Sequence, residues 1–183
     1  MSLSLFILGN LAEETSHPYK LKKALLDALP VQNMSEGKFY YNFEALQKKG
    51  LIEPVETVHK ENRPNKTLYK ITEDGRDFLE EEIYRSFKKG SKVEDLYISI
   101  YLVKYINPEK AAIFLEDAIK QEKQKWAHYR EVRQNEEMQK QFAILDEKQQ
   151  RAVEFIRDHA FKQADENIRW MENLLTFLKE IGK

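Results

Sequence analysis

The chain has 183 residues, 42% of them hydrophobic and 33% charged, with a formal net charge of −1, no cysteine, six glycines and five prolines. That composition excludes a disordered chain, a disulfide framework, thiol redox chemistry and thiolate metal sites, and it leans toward helix in one domain or two small ones. The four histidines, His17, His59, His128 and His159, lie scattered without ligand spacing, so no metal site and no cofactor are expected. The longest apolar run, Leu96 to Val103, includes Ser99 and is far short of the ~20 residues of a membrane helix. The N-terminus lacks the basic region and apolar length of a signal peptide, and a cytoplasmic protein without membrane contact is expected.

In chain order, residues 3–12 read as a short helix with a stripe of Leu5, Leu8, Leu11 and Ala12. Gly9 inside it costs up to ~1 kcal/mol in helix propensity, which points to close packing against another backbone. Pro18 can open a second helix, where its missing N–H costs nothing. Leu21, Ala24, Leu25 and Ala28 give that helix an apolar face, Pro30 helps stop it, and Val31 to Met34 form a turn.

Residues 35–52 then read as a capped helix, a glycine stop and the start of a strand. Ser35 is a good N-cap, Glu36 suits the positive end of the helix dipole, and Gly50 suits a left-handed cap. Phe39, Phe43 and Leu46, with Tyr40 beside them, build an inner face, and the opposite stripe is Lys38, Tyr41, Asn42, Ala45 and Lys49. That stripe carries donors and acceptors for base edges and two charges for phosphates, as a helix lying in a major groove requires. Taken alone, such a helix is more often an ordinary solvated surface helix. Its flanks are what turn the reading.

Leu51 to His59 carries the β-branched residues of a strand, with Pro54 implying an edge or a bend. Asn62 to Lys66 is turn chemistry, and Thr67 to Ile71 alternates into a second strand, so a hairpin with a charged tip is expected. By composition that tip is equally an ordinary solvated turn. Its place after a helix-turn-helix favours Arg63 and Lys66 as backbone or minor-groove contacts.

Thr72 caps a further helix facing inward through Phe78, Leu79, Ile83 and Phe87, and Lys88 to Ser91 reads as a domain boundary. Residues 92–106 are apolar nearly all round, as in a helix buried from several directions. Asn107-Pro108 starts another helix, along which Ala112, Leu115, Ile119, Glu122, Trp126 and Tyr129 make a heptad seam with one charged interruption. Residues 134–141 lack an apolar stripe and are expected to hold a helix–helix connection. Phe142 to Glu180 reads as one long helix with a second seam of Ala164, Ile168, Met171, Leu175 and Leu178. One shorter helix cannot cover that seam together with Trp170, Leu174 and Phe177, so a second subunit is the economical partner.

No phosphate loop or nucleophile motif is present, and the carboxylate clusters Glu80 to Glu82 and Glu136-Glu137 sit among polar residues that cannot raise a pKa. An enzyme is therefore not expected. Net charge offers no global signature of a nucleic-acid partner either, although residues 1–70 hold ten Lys or Arg against eight Asp or Glu, an excess of +2.

Ser35, Gly37, Tyr40, Leu46 and the stop Gly50-Leu51-Ile52, at their spacing, resemble the recognition helix of the PadR family of winged-helix transcriptional regulators. Ile7-Leu8-Gly9 with His17-Pro18-Tyr19-Lys20-Leu21 upstream, and Tyr69, Thr72, Gly75 and Leu79 downstream, extend the resemblance over nearly all of residues 3–85. Pro18 stands where that family commonly has glycine, Phe43 where it has leucine and Glu36 where it has proline. The second half, through Arg169-Trp170-Met171 and the order of helices, is similar to the α-helical C-terminal domain of the virulence-activator-type subfamily, where it makes the homodimer. The resemblance implies a mainly α fold with a small β-hairpin: a winged helix-turn-helix at 1–86, then a long-helix antiparallel dimerisation domain at 87–183. It implies a repressor bound as a homodimer to double-stranded DNA with a palindromic operator, contacts coming from Ser35, Lys38, Tyr40, Tyr41 and Asn42 and from Arg63, Asn65 and Lys66. It also implies response to a small aromatic or apolar effector, for which Tyr97, Tyr101, Trp126, Tyr129 and Trp170 are the candidate lining. Packing in a helical dimer core is the commoner role of such aromatics and the favoured one here, and a protein–protein adaptor built on a winged helix is the competing class.

Overall fold

The computed structural model describes residues 3–28, 35–60, 63–90 and 93–183, with the side chains of residues 28, 56–60, 63–66, 94 and 95 outside the description. The chain divides into two compact units, residues 1–86 with 94–107, and residues 87–93 with 108–183. Most of it is helical, with one small antiparallel hairpin, as the sequence leads one to expect.

The first unit contains α1 (Leu3–Glu13), α2 (Pro18–Ala28), α3 (Glu36–Lys48), β1 (Ile52–Lys60), β2 (Arg63–Ile71) and α4 (Glu73–Lys89) up to Ser86, then most of α5 (Val93–Tyr101). The expected stripe of α1 is too narrow: Leu3, Leu5, Phe6, Ile7, Leu8, Gly9 and Leu11 are all buried, while Ala12 is partly exposed. This is a helix covered from nearly every side. Gly9 meets a side chain rather than the expected backbone, since a Cβ there would lie 2.3 Å from Leu102 Cδ2.

The helix expected over 92–106 ends early, at Tyr101, and a tight 3-10 turn follows at Val103–Tyr105. That tightening, common at helix ends, brings the Tyr105 hydroxyl to donate to the Gly9 carbonyl at 3.0 Å and to the Glu13 carboxylate, which Lys104 also meets at 2.9 Å. The Tyr105 hydrogen bond and then Lys104 hold the Glu13 carboxyl below its ordinary pKa, and burial with Glu13 pushes the Tyr105 phenol up. Glu13 gains its extra stabilisation in the charged form, so the interaction is complete above the usual carboxylate range and disappears as pH falls through the depressed value.

Val31 to Met34 and Pro30, expected to form the turn before α3, lie outside the described residues. Pro18 does open α2. In α3 the Ser35 hydroxyl accepts the Lys38 N–H at 3.3 Å, Phe39, Phe43 and Leu46 are buried, and Gly50 takes φ +71°. An N-cap of this kind contributes about 1 kcal/mol.

The hairpin corrects the expected turn. Lys60 pairs with Arg63, so Arg63, Pro64, Asn65 and Lys66 belong to β2 and the connection shrinks to residues 61 and 62, outside the described residues. Pro64 and Asn65 fall opposite the register shift between Val58 and Lys60, where a missing N–H breaks no ladder bond. Pro54 behaves as expected of an edge residue, beside a second shift between Pro54 and Glu56. Ser16 adds a short third strand position that the sequence did not announce, exchanging both backbone hydrogen bonds with Tyr69 at 3.0 and 2.9 Å.

One joint gathers α3, the hairpin and α4. The Thr72 N–H donates to the Leu51 carbonyl at 3.1 Å, its hydroxyl donates to the Gly50 carbonyl at 2.8 Å, and the same hydroxyl accepts the Gly75 N–H at 3.1 Å. Gly75 lets α4 lie directly on Leu51, since a Cβ there would come within 2.2 Å of the Leu51 carbonyl oxygen.

The second unit is built on α6 (Pro108–Gln134), α7 (Glu136–Ala143) and α8 (Glu147–Ile181). Ion pairs Lys179–Glu116, Lys123–Glu172 and Arg130–Asp165, at 3.8, 2.6 and 2.7 Å, climb α6 as they descend α8, so the two run antiparallel. Between them are buried Leu115, Ala118 and Ile119 of α6 and Ala164, Met171, Leu174 and Leu178 of α8. Leu174 thus takes the place expected of Leu175, and Ile168 is only half-buried. The helix–helix connection expected within residues 134–141 is a single residue, Asn135, which caps α7 by accepting the Glu137 N–H at 2.9 Å, and the rest of the stretch is helix. The long helix starts at Glu147 instead of Phe142, because Asp146 and Gln149 form a capping box at its entrance. Among the described residues no helix is long and apolar enough to cross a membrane.

Gly75 and Gly37 provide opposite tests of this packing. A Cβ at Gly37 meets nothing within 4 Å. Gly75→Ala is expected to destabilise by about 1–3 kcal/mol through overpacking, whereas Gly37→Ala is neutral or stabilises by up to ~0.5 kcal/mol through helix propensity. Denaturant unfolding of the two variants checks this, and equal midpoints would contradict the joint.

Candidate nucleic-acid interface

A helix docks on a groove through whatever its own fold leaves outside, so the free side chains of α3 define the candidate surface. The Ser4 hydroxyl on α1 donates to the Asn42 side-chain Oδ1 at 3.3 Å, and the Asn42 side-chain amide N–H donates to the Lys38 backbone carbonyl at 2.8 Å. On the inner side Phe39 meets Phe43 at 6.4 Å, and Phe43 meets Tyr69 of β2 edge-on at 4.8 Å. Lys22 of α2 pairs with Glu36 at 2.8 Å, and this partner raises the Lys22 pKa. Three neighbouring elements therefore hold α3 in place.

What stays outside is Gly37, Tyr41, Glu44 and Lys48, all exposed and spaced at i, i+4, i+7 and i+11, which makes one line along the helix. Lys38 flanks it and is exposed, and Tyr41 is 74% exposed. Of the residues read from sequence, Lys38 and Tyr41 thus stand outward. Asn42 is half-buried at the flank, Tyr40 is half-buried against Phe39 with ring centres 5.6 Å apart, and the Ser35 hydroxyl is occupied as the cap. Lys49 folds back over the Phe78 ring at 5.8 Å. Arg63, Asn65 and Lys66 occupy β2 by backbone, and their side chains lie outside the description.

Lys48 and Glu44 were missed. Helical geometry alone puts them opposite Phe39 and Phe43, and a wheel drawn from the buried triad, rather than from the polar residues, would have found them. On α2, Tyr19 is 63% exposed with its ring stacked on His17 at 6.3 Å, while Lys20 is paired with Glu14 at 2.5 Å.

The aromatics read as effector candidates fall in both units. Tyr97 and Tyr101 belong to the first unit, where Tyr101 stacks on Phe6 at 6.1 Å. Trp126 and Tyr129 lie in the second, 5.5 Å apart, with Phe161 of α8 edge-on to Trp126 at 5.6 Å. Phe161 was not foreseen. The Trp126 indole N–H donates to Glu122 at 3.1 Å, and Trp170 is half-buried further along α8. No group of three or more potential metal ligands occurs among the described residues.

Three helices, the third of which runs through a glycine stop into an antiparallel hairpin closed by a capped fourth helix, have the architecture of a winged helix. Residues 7–81 match the model of the Transcriptional regulator PadR-like family, whose members are transcription regulators and not enzymes. No curated protein matches it. Among solved structures it is similar to Bacillus subtilis PadR in complex with operator DNA, at 16% identity and TM-score 0.43, over 96% of this chain and 98% of that one. It is also similar to smu.1604c from Streptococcus mutans UA159, at 21% identity and TM-score 0.40, over 98% of each chain. A PadR-like transcription factor from bacteroid fragilis matches at 28% identity and TM-score 0.38, over 47% of this chain and 80% of its own.

Asn42 and Tyr41 separate inward from outward roles. Asn42→Ala is expected to cost about 0.5–1.5 kcal/mol of stability by removing the Ser4 and Lys38 hydrogen bonds, whereas Tyr41→Ala leaves stability within about 0.5 kcal/mol. Thermal unfolding of both variants decides. A stable Asn42→Ala beside an unstable Tyr41→Ala would mean the helix faces are exchanged.

Proposed function

We propose that the protein binds double-stranded DNA as a homodimer on a palindromic operator, acting as a ligand-responsive repressor, with the winged helix at 1–86 on the DNA and residues 87–183 serving dimerisation and effector binding. The observation that carries this reading is the exposed line of α3, with Tyr41 and Lys48 turned outward from a helix tied on its other sides to α1, α2 and β2. Tyr41 would meet base edges, Lys38 and Lys48 phosphates, and Arg63, Asn65 and Lys66 would hold the backbone from the wing.

Support for the homodimer comes from α6 and α8, which leave Ile113, Phe155, Ile156 and Phe177 exposed in the single chain. Two winged helices tethered by such a dimer reach half-sites about 34–36 Å apart, which a palindrome supplies. The Trp126, Tyr129 and Phe161 cluster beside an open cavity supports the effector reading.

Selection of bound sequences from a random duplex pool, followed by gel shifts at several salt concentrations, tests the DNA reading. Lys38→Ala, Lys48→Ala and Lys66→Ala are each expected to flatten the log-log salt slope by about one for every phosphate left unneutralised. No enrichment of any sequence, with salt-independent binding, would favour the adaptor instead. The dimer has its own test: Ile113→Lys with Phe177→Lys is expected to shift the chain to monomer in sedimentation and to lower affinity for the palindrome far more than for a half-site. A variant still dimeric would place the interface elsewhere.

A further inference from the structure

Between the C-terminal half of α6, α7 and the first half of α8 the second unit opens a cavity of 410 Å³, and a neighbouring one of 580 Å³ follows α7. Arg133, Met138 and Arg157 line both. The first cavity has aromatic walls, Trp126, Tyr129 and Phe161, and its charged lining is of one sign: Lys125, Arg133 and Arg157, with no carboxylate. Lys125 is already paired with Glu122 at 3.1 Å. Neither arginine has a carboxylate partner among the described residues; Arg157, half-buried, lies over the Phe142 ring at 5.4 Å.

This combination selects a ligand by exclusion. A cation would meet the two unpaired guanidinium charges of Arg133 and Arg157. A neutral apolar molecule would cover guanidinium groups without replacing the water bound to them, and an uncompensated polar group is costly to desolvate. A small inorganic anion would leave the aromatic walls wet. An anion with an apolar body satisfies both, because a guanidinium fork matches a carboxylate in two parallel hydrogen bonds while the body displaces water from the rings. Glu154 lines only the neighbouring cavity and so repels the carboxylate from that side.

We propose that the α6–α7–α8 cavity binds an amphipathic carboxylate, its charge held by Arg133 and Arg157 and its apolar body lodged against Trp126, Tyr129 and Phe161. The proposal rests on the ligand-responsive reading above and gives it a place and a chemical class. The cavity lies wholly within the second unit, so ligand binding is measurable on the intact chain without DNA.

Calorimetric titration of the intact protein with decanoate, decylammonium and decanol, all below their aggregation concentrations, tests it. Decanoate is expected to saturate and to bind at least about tenfold more tightly than the other two, the difference that a charge-assisted pair supplies. In Arg133→Gln/Arg157→Gln, decanoate is expected to fall to the level of decanol, with sedimentation unchanged. Decylammonium binding as well as decanoate, a carboxylate preference that survives the double substitution, or no saturation with any probe would overturn the assignment. An altered oligomeric state in the double variant would also overturn it, by giving the arginines to an interface between copies. Gel shifts run beside the titration keep the two readings apart: decanoate binding that leaves DNA affinity untouched upholds the cavity and removes the ligand response.

Discussion

The winged helix depends on one joint, where the Thr72 hydroxyl serves two backbones at once. It donates to the Gly50 carbonyl at the end of α3 and accepts a free first-turn N–H of α4, that of Gly75, while the Thr72 N–H closes on Leu51. Recognition helix, hairpin base and exit helix are thereby tied within a few ångströms. Each bond satisfies a group that a helix end would otherwise leave open, and Gly75 removes the one atom that would hold α4 away from Leu51. Any surface that α3 and the hairpin present together owes its geometry to this point.

Much of that arrangement was legible in residue types. Ser35, Gly50 and Thr72 act locally, through hydrogen bonds and a left-handed φ that depend on near neighbours in sequence, and local rules found them. Failures came where distant residues decide. Asn42 reads as an outward amide until Ser4, far away in sequence, engages it. The wing turn was displaced because composition sees Asn62 to Lys66 as turn chemistry, whereas pairing of Lys60 with Arg63 sets where the strand begins. Residues 134–141 were read as holding a helix–helix connection because their apolar content is so low; the break falls at Asn135 alone, whose side chain at once caps α7. The roles of the site residues themselves were not legible, since exposure is necessary for contact and never sufficient.

In the second unit the heptad arithmetic was nearly right, and its small error is instructive. The seam of α8 was placed on Leu175, but Leu174 is buried and Leu175 only partly so. A straight helix drifts against a seven-residue repeat, so over 35 residues the buried line moves by a fraction of a turn. The same drift distributes apolar side chains over more of the surface than one partner helix covers. Phe155 at 79% and Ile156 at 66% exposure sit where α8 has no such cover.

Glu36 bears on how a nearly neutral chain could meet a polyanion. It stands in the first turn of α3, where the helix dipole favours it and a phosphate would not. Lys22 meets it at 2.8 Å and is raised in pKa by that contact, so the two charges cancel locally. Such an exposed pair adds little to stability; its effect is on the field. Lys20 with Glu14 and Lys70 with Glu53 are cancelled in the same way. The charges of α3 left without a partner in the described structure are Lys38, Glu44 and Lys48, a surplus of one positive charge on the line that faces outward. Net charge over the chain is therefore a poor guide to this surface, because ion pairing removes charges of both signs elsewhere and leaves a small excess where the helix is free.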